Sequence, residues 1–329
     1  MKSNWSTTWR ARMVVAVAAL WPLAATAQGW APERAVEIIV PAGGSIDLLA
    51  RALQQSWTEQ KMVPVPTSLV AKPGAGHAIA YGYLAQHAGS AHHLQIMSSN
   101  LLTGYITGRM KTSYKDFTPI AVLVDGAYYG LAVRADSPFK TAKDLVDALR
   151  KNPASVNVAL GTSLGASHHV AFALMMLNAG VDVPKTRLVS FQDSAKVVTA
   201  VLGSHVDVGT VSAINAIPHL EAGTMRLLAI SAPKRMTGPL AGVPTWQEAG
   251  FRGVIGSWRG LIGPKGMTPA QVAFWDGVAK RTAEDPQFRK FAEGVPYDIT
   301  YVGPGGVNKW LAEEDAELRK VLTSIGFAK

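Results

Sequence analysis

One beat recurs along this chain and restricts it more than any single motif: a short β-branched run, a turn rich in glycine or serine, then an amphipathic helical stretch. Val36-Glu37-Ile38-Ile39-Val40 leads into Pro41-Ala42-Gly43-Gly44, and from Ser45 onward Ile46, Leu49, Ala50 and Leu53 fall at the i, i+3, i+4, i+7 spacing of one helix face. Thr67 to Ala71 repeats the pattern, followed by Lys72-Pro73-Gly74-Ala75-Gly76 and a helix through about Gln86. A third strand, Leu94 to Met97, ends at Ser98-Ser99-Asn100. Strands separated by helical crossovers predict an α/β layer fold with mostly parallel sheets flanked by helices.

The beat restarts downstream. Pro119 to Val124 and Gly130 to Arg134 read as strands, and Thr141 caps a helix through Arg150. Val156 to Leu160 is a strand that runs through Gly161-Thr162-Ser163-Leu164-Gly165 into a helix from about Ala166 to Ala179. Arg187 to Phe191, then Gln192-Asp193-Ser194, precede a helix to Leu202; Val206 to Val211, Met225 to Ser231 and Ser257 to Ile262 are further strands. Helices from Thr268 to about Glu284 and from Gly305 to Leu322 close the chain. Stretches near 119–128 and 224–234 link the two sets. Two crossings imply an inserted lobe: residues 28–122 with 232–329 as the first lobe, 123–231 as the second. Ligands in such sheets lie beyond the strand C-termini, where the loops of both halves converge.

Composition narrows the function classes. The 329 residues include no cysteine, which excludes disulfides, thiolate metal sites, cysteine nucleophiles and a lipid-acylated N-terminal cysteine. The formal charge of +9 comes from scattered basic residues without a nucleic-acid module, so nucleic acid is not an expected partner. Lys2, Arg10 and Arg12 precede an apolar run from Met13 to Ala25, and Ala25-Thr26-Ala27 has the small-x-small form of a signal-peptidase site. The run is shorter than the roughly 20 residues a span requires. It predicts a signal peptide, residues 1–27, cut after Ala27, and an exported, periplasmic chain.

Gly43-Gly44-Ser45, between strand and helix, reads either as an anion cradle or as an ordinary tight turn. No Lys-Ser/Thr pair follows, so it is not a nucleotide loop. Gly161-Thr162-Ser163-Leu164-Gly165 matches G-x-S-x-G in the strand–turn–helix context of a nucleophile elbow, which raises a secreted serine hydrolase using Ser163 as the alternative function. His205 and His219, with Asp182, Asp193 or Asp207, would have to complete that triad, and no HGGG-type oxyanion loop is present. The competing reading makes Thr162, Ser163 and Ser167 hydroxyl donors around a bound carboxylate. The pairs His92-His93 and His168-His169 cannot chelate, since neighbours point apart, so no metal or cofactor is expected; His168 can still donate one hydrogen bond. Trp258 can wall a cleft and Arg259 pair with a carboxylate, or the ring packs in the core and the arginine lies on the surface.

Val40-Pro41-Ala42-Gly43-Gly44-Ser45-Ile46-Asp47 with Ala50-Arg51 resembles the first-loop motif of the Bug family, the periplasmic solute receptors of tripartite tricarboxylate transporters. Lys72-Pro73-Gly74-Ala75-Gly76 resembles the second-loop motif, and Gly165-Ala166-Ser167-His168, Leu202-Gly203-Ser204-His205-Val206-Asp207, Ile217-Pro218-His219-Leu220-Glu221-Ala222-Gly223 and Ser257-Trp258 continue the match in order. The resemblance implies a two-lobed clam that closes on a small carboxylated solute for uptake or sensing, without catalysis, with permease subunits or a sensor as partners and the receptor as a monomer. It assigns ligand contacts to Gly43, Gly44, Ser45 and Asp47 and to Gly161, Thr162, Ser163, Ser167 and His168; Ser99 and Asn100 on the third-strand loop, Asp193 and Ser194 before the next helix, and Trp258 as a cleft wall complete the candidate set.

Several positions depart from the family pattern. The first loop is about two residues shorter, with Ala42 where bulk is usual. His77 stands for a common glycine, Asp193 for a glycine and Arg259 for an aromatic residue. A carboxylate at Asp193 repels a bound anion unless the ligand also carries an ammonium group or Arg259 neutralises the site. The expectation is a preference shifted towards a zwitterionic or less acidic solute.

Overall fold

The computed structural model describes residues 29–41, 43–295 and 297–329; the expected signal segment and its cleavage site lie outside the described residues. Two sheets organise them. The first takes β1 (Val36–Val40), β2 (Thr67–Ala71), β3 (His93–Ser98), β4 (Phe117–Asp125), β10 (Arg259–Pro264) and β11 (Asp298–Val302), in the order β11-β4-β10-β3-β1-β2. The second takes β5 (Tyr129–Arg134), β6 (Asn157–Leu160), β7 (Arg187–Ser190), β8 (Val208–Ser212) and β9 (Met225–Ile230), in the order β7-β6-β8-β5-β9.

The expected α/β architecture is present, with mixed sheets. Among the described residues, four of six strands of the first sheet run one way, while β10 and β11 run against them. In the second sheet only β5 is reversed. Those reversals come from the strands nearest the crossings: β5 enters the second sheet directly from β4, and β10 returns to the first, so neither has a helical crossover to restore its direction.

In the first sheet's half lie α1 (Ser45–Glu59), α2 (Ala78–Ala85) and α3 (Asn100–Ile106). The second sheet's half holds α4 (Ala142–Lys151), α5 (Ser167–Asn178), α6 (Ser194–Leu202) and α7 (Ile217–Glu221). The chain finishes with α8 (Pro269–Glu284), α9 (Pro286–Glu293) and α10 (Pro304–Ser324). Ile46, Leu49, Ala50 and Leu53 of α1 are all buried, as their spacing requires. α10 packs on α3, and the Phe327 ring just beyond it meets His169 of α5 edge-on, at 4.7 Å between centroids.

The return crossing falls later than the expected boundary near residue 231. Ile230 bridges Thr245, and Trp246 N–H donates to the Ile230 carbonyl at 2.8 Å, so this segment packs on the second sheet's half. The Trp246 ring stacks on Phe251, inside the same core. The segment has no helical or alternating pattern of its own, which is why the sequence reading closed the lobe at the end of the apolar strand. The two crossings then run side by side: Ala127 N–H donates to the Ser257 carbonyl at 2.9 Å and Ser257 N–H to that of Ala127 at 3.2 Å.

Candidate functional site

The N-termini of α1, α3, α5 and α6 converge where the two halves meet. Two come from each half. Each follows a strand directly through a short turn, which puts the helix start at the strand's C-terminal edge. Their first residues, Ser45, Asn100, Ser167 and Ser194, are all buried.

A chain of hydrogen bonds joins them. Ser45 Oγ lies 3.2 Å from Ser212 Oγ across the seam. Ser212 N–H donates to Ser194 Oγ at 3.0 Å, and Ser194 Oγ lies 3.0 Å from His168 Nε2. Ser167 N–H crosses the seam again, donating to Asn100 Oδ1 at 2.9 Å. Asn100 Nδ2 sits 3.1 Å from His77 Nε2, and Ser99 Oγ sits 2.8 Å from Ser257 Oγ. Thr162 Oγ1 accepts from His168 N–H at 3.4 Å. Gly161 is held so tightly that a Cβ there would lie 3.0 Å from both His168 Nε2 and Ser194 Oγ.

Both imidazoles in this cluster are neutral. Burial, reinforced by the nearby Arg259 charge, lowers the pKa of His77 and of His168 to about 3. Arg259 is 3 % exposed; Nη1 donates to Ser257 Oγ and to the Trp258 carbonyl at 2.8 Å, while Nε is buried with no acceptor. Gly43 and Asp193 face each other, since a Cβ on Gly43 would lie 2.9 Å from Asp193 Oδ2. Gly44 faces Asn215 in the same way, at 3.2 Å.

Of the residues assigned from the sequence, Gly43, Gly44, Ser45, Ser99, Asn100, Gly161, Thr162, Ser167, His168, Asp193 and Ser194 are brought together here. Three stand apart. Asp47 turns to the helix exterior and pairs with Arg51 one turn on, at 2.7 Å. Trp258 is a core residue whose indole N–H donates to Glu314 Oε2 of α10 at 2.9 Å; its neighbour Arg259 takes the seam instead, so at this pair the tryptophan packs in the core and the arginine is buried rather than surface-exposed. Ser163 lies near the rim, beside Gly76, which a Cβ would bring to 3.4 Å from Ser163 Cβ.

Among the described residues no triad forms around Ser163. Its hydroxyl meets no histidine: His205 is exposed after α6, His219 lies in α7, the His168 ring nitrogens face Ser194 and Ser167, and Asp207 accepts from Asn157 N–H at 2.8 Å. Asp182 pairs with Lys185 and Asp193 accepts from Lys196 N–H. Sequence reading missed His77, Ser212 and Asn215 as members of the cluster. The signal for the last two was their place at and just after the C-terminal end of β8, the position where strand C-termini present ligands.

Two α/β halves joined by paired crossings, with helix N-termini converging at the seam, define a two-lobed solute-binding protein. The chain belongs to the family described as tripartite tricarboxylate transporter family receptor, whose model matches residues 49–327. It is 27% identical over 326 residues, 97% of each chain, to the UPF0065 protein in the gbd 5' region of Cupriavidus necator. In fold it resembles MatC of Rhodopseudomonas palustris with bound malate (TM-score 0.80, 24% identity, 88% of this chain and 99% of that one). An R. palustris protein solved with adipate is equally similar (TM-score 0.81, 24% identity, 90% and 99%). Family membership makes this a solute-binding receptor and sets aside the hydrolase alternative.

Proposed function

We propose that this receptor works outside the cytoplasm, closes its lobes over a small carboxylated organic solute, and releases that solute chemically unchanged to permease subunits or to a sensor. The observation that carries this reading is the hydrogen-bonded cluster at the meeting of four helix N-termini. Each helix start presents backbone N–H groups and a partial positive charge of about half a unit. Hydroxyls of Ser45, Ser99, Thr162, Ser167 and Ser194 add neutral donors, and desolvation between the lobes strengthens all of them. Such a site suits a carboxylate. Malate and adipate, bound in two proteins of the same fold, are carboxylates.

Ligand contacts come from the eleven converging residues with Ser163 at the rim, and Asp47 and Trp258 fall outside the set. Export rests on the basic, apolar and small-x-small order of residues 1–27 together with the family; among the described residues no helix is long and apolar enough to cross a membrane. The receptor acts as a monomer.

The test is a thermal-shift screen of the chain starting at Gln28 against mono-, di- and tricarboxylates, amino acids and aromatic acids, followed by NMR of the recovered solute. A true ligand at a hundred times its Kd adds about 2.7 kcal/mol of stability, and it should return intact. Turnover of the bound compound, or no stabilisation by any carboxylate, would refute the reading.

A further inference from the structure

The seam holds two opposite charges that do not neutralise each other. Arg259 opens β10, opposite Ser98 of β3. Its guanidinium is among the most enclosed cationic groups in the fold, at 3 % exposure, and among the described residues it forms no ion pair. A guanidinium carries five N–H donors. Here Nη1 is engaged, Nε is buried without an acceptor, and no carboxylate balances the charge. A buried cation in that state is costly, and a carboxylate is the group that relieves it, by charge and by the geometry of the fork. Its fork reaches Ser257 Oγ, which lies 2.8 Å from Ser99 Oγ at the head of α3, so the guanidinium stands at the junction, and its charge helps lower His77 and His168.

Asp193 stands on the other side. It caps α6, taking Lys196 N–H on Oδ1 at 3.0 Å, while Oδ2 is turned to Gly43 in the first loop. It is 9 % exposed and pairs with no cation among the described residues. The next residue, Ser194, is the one bonded to His168. The sequence left open whether Arg259 cancels Asp193; in the structure no ion pair joins them, so both charges remain available to a guest.

We propose that Arg259 anchors one carboxylate of the solute, and that Asp193 rejects a second carboxylate and receives a donor group instead, so that the cleft selects a small acid with one negative charge and an amide or ammonium at its other end. This rests on the solute-binding reading above and narrows it. The relevant pair is a cation in the first lobe and an anion in the second, so a solute carrying both complements is held by both lobes at once, and only in the closed form.

The experiment is calorimetric titration of the chain with matched probes: succinate, adipate and terephthalate, each beside its mono-amide, and 4-aminobutyrate beside succinate. Wild type should bind the mono-amide or the amino acid more tightly than the dicarboxylate of equal length, and Asp193→Asn, which keeps the helix cap, should raise affinity for the dicarboxylate. Arg259→Gln should weaken the bound probe by about 30-fold or more, the loss typical of truncating one partner of a buried charge pair. Should Arg259→Gln fail to melt cooperatively, Arg259→Lys keeps the charge without the fork and should still lose affinity. Unchanged affinity in a folded Arg259 variant removes the anchor. A wild type that prefers the dicarboxylate, with the ratio unmoved in Asp193→Asn, removes the selectivity. Failure of every carboxylate to bind wild type refutes the receptor reading itself, a different result from either of these.

Discussion

Three imidazoles, those of His77, His168 and His169, lie buried at or beside the seam, and each is uncharged for the same reason. Burial lowers the pKa of His77 and His168 to about 3, with Arg259 contributing, and that of His169 to about 4, with Arg109 contributing. In the unfolded chain each titrates near 6.5. Above that pH both states carry neutral rings. As pH falls below 6.5 the unfolded chain takes up protons first, so stability drops, by up to about 1.4 kcal/mol per pH unit for each ring, until the native values are reached. Burial also lowers His92 and His93, so urea denaturation between pH 7 and pH 5 should show this decline, and His168→Asn should make it shallower without abolishing it; a flat profile over that window would contradict it. At this scale the sequence was only partly legible. Glycines at 43, 44 and 161 could be recognised because close approach demands them. The partition of Trp258 and Arg259 could not, because which of two adjacent residues faces the core depends on how β10 sits between β3 and β4. Nor could the pairing of Asp47 with Arg51 on the helix surface, which a loop motif does not reveal.

Most elements were legible from pattern and punctuation. The helix starts at Thr141 and Thr268 are capping boxes, with Asp144 and Gln271 returning the hydrogen bond to the cap residue. Thr141→Ala should therefore cost about 1 kcal/mol of stability, read as a lower urea midpoint with an unchanged slope; because α4 stands away from the cluster, solute affinity should stay as in wild type. The elements that escaped were short or lay at an edge. β11 is an edge strand paired only with β4, through a register shift, so it shows no regular alternation. α9 follows α8 after a single residue, Asp285, which caps it and also ends the helix before it. Its Asp-Pro start was a readable signal, but the apolar spacing on both sides suggested a helix that stops at Glu284. α3 spans only Asn100–Ile106, too short for periodicity to register, yet it brings Asn100 to the seam.

For the whole molecule, the beat of strand, turn and helix was enough to foresee two α/β halves, while the point of return was not. The first crossing is short, Asp125 to Tyr129, and the expected boundary at 122/123 falls inside β4 because that strand's apolar run hides its end; the second is a long irregular segment that packs on the second sheet's half through Ile230, Thr245 and Trp246. Closure is held by a few bonds across the seam: Ser45 to Ser212, Ser167 to Asn100, and Arg109 to the Gly165 carbonyl at 3.1 Å. Apolar contact adds to them, with the Phe327 ring against His169, and on the proposed closure a bound solute would add its own contacts to both sides. Small-angle scattering should accordingly give a smaller radius of gyration with saturating solute than without it, and Asn100→Ala should lessen the difference; equal radii in both states would rule out closure as the binding step.

The reciprocal bonds between Ala127 and Ser257 give the two linkers the character of a flat ribbon. Pairing ties the two linkers together side by side, so a bend of the ribbon out of its plane is an easy relative motion of the lobes. On the proposed closure, occupancy would register as a change in that bend, which a protein touching both lobes could read whatever the chemistry of the molecule held inside.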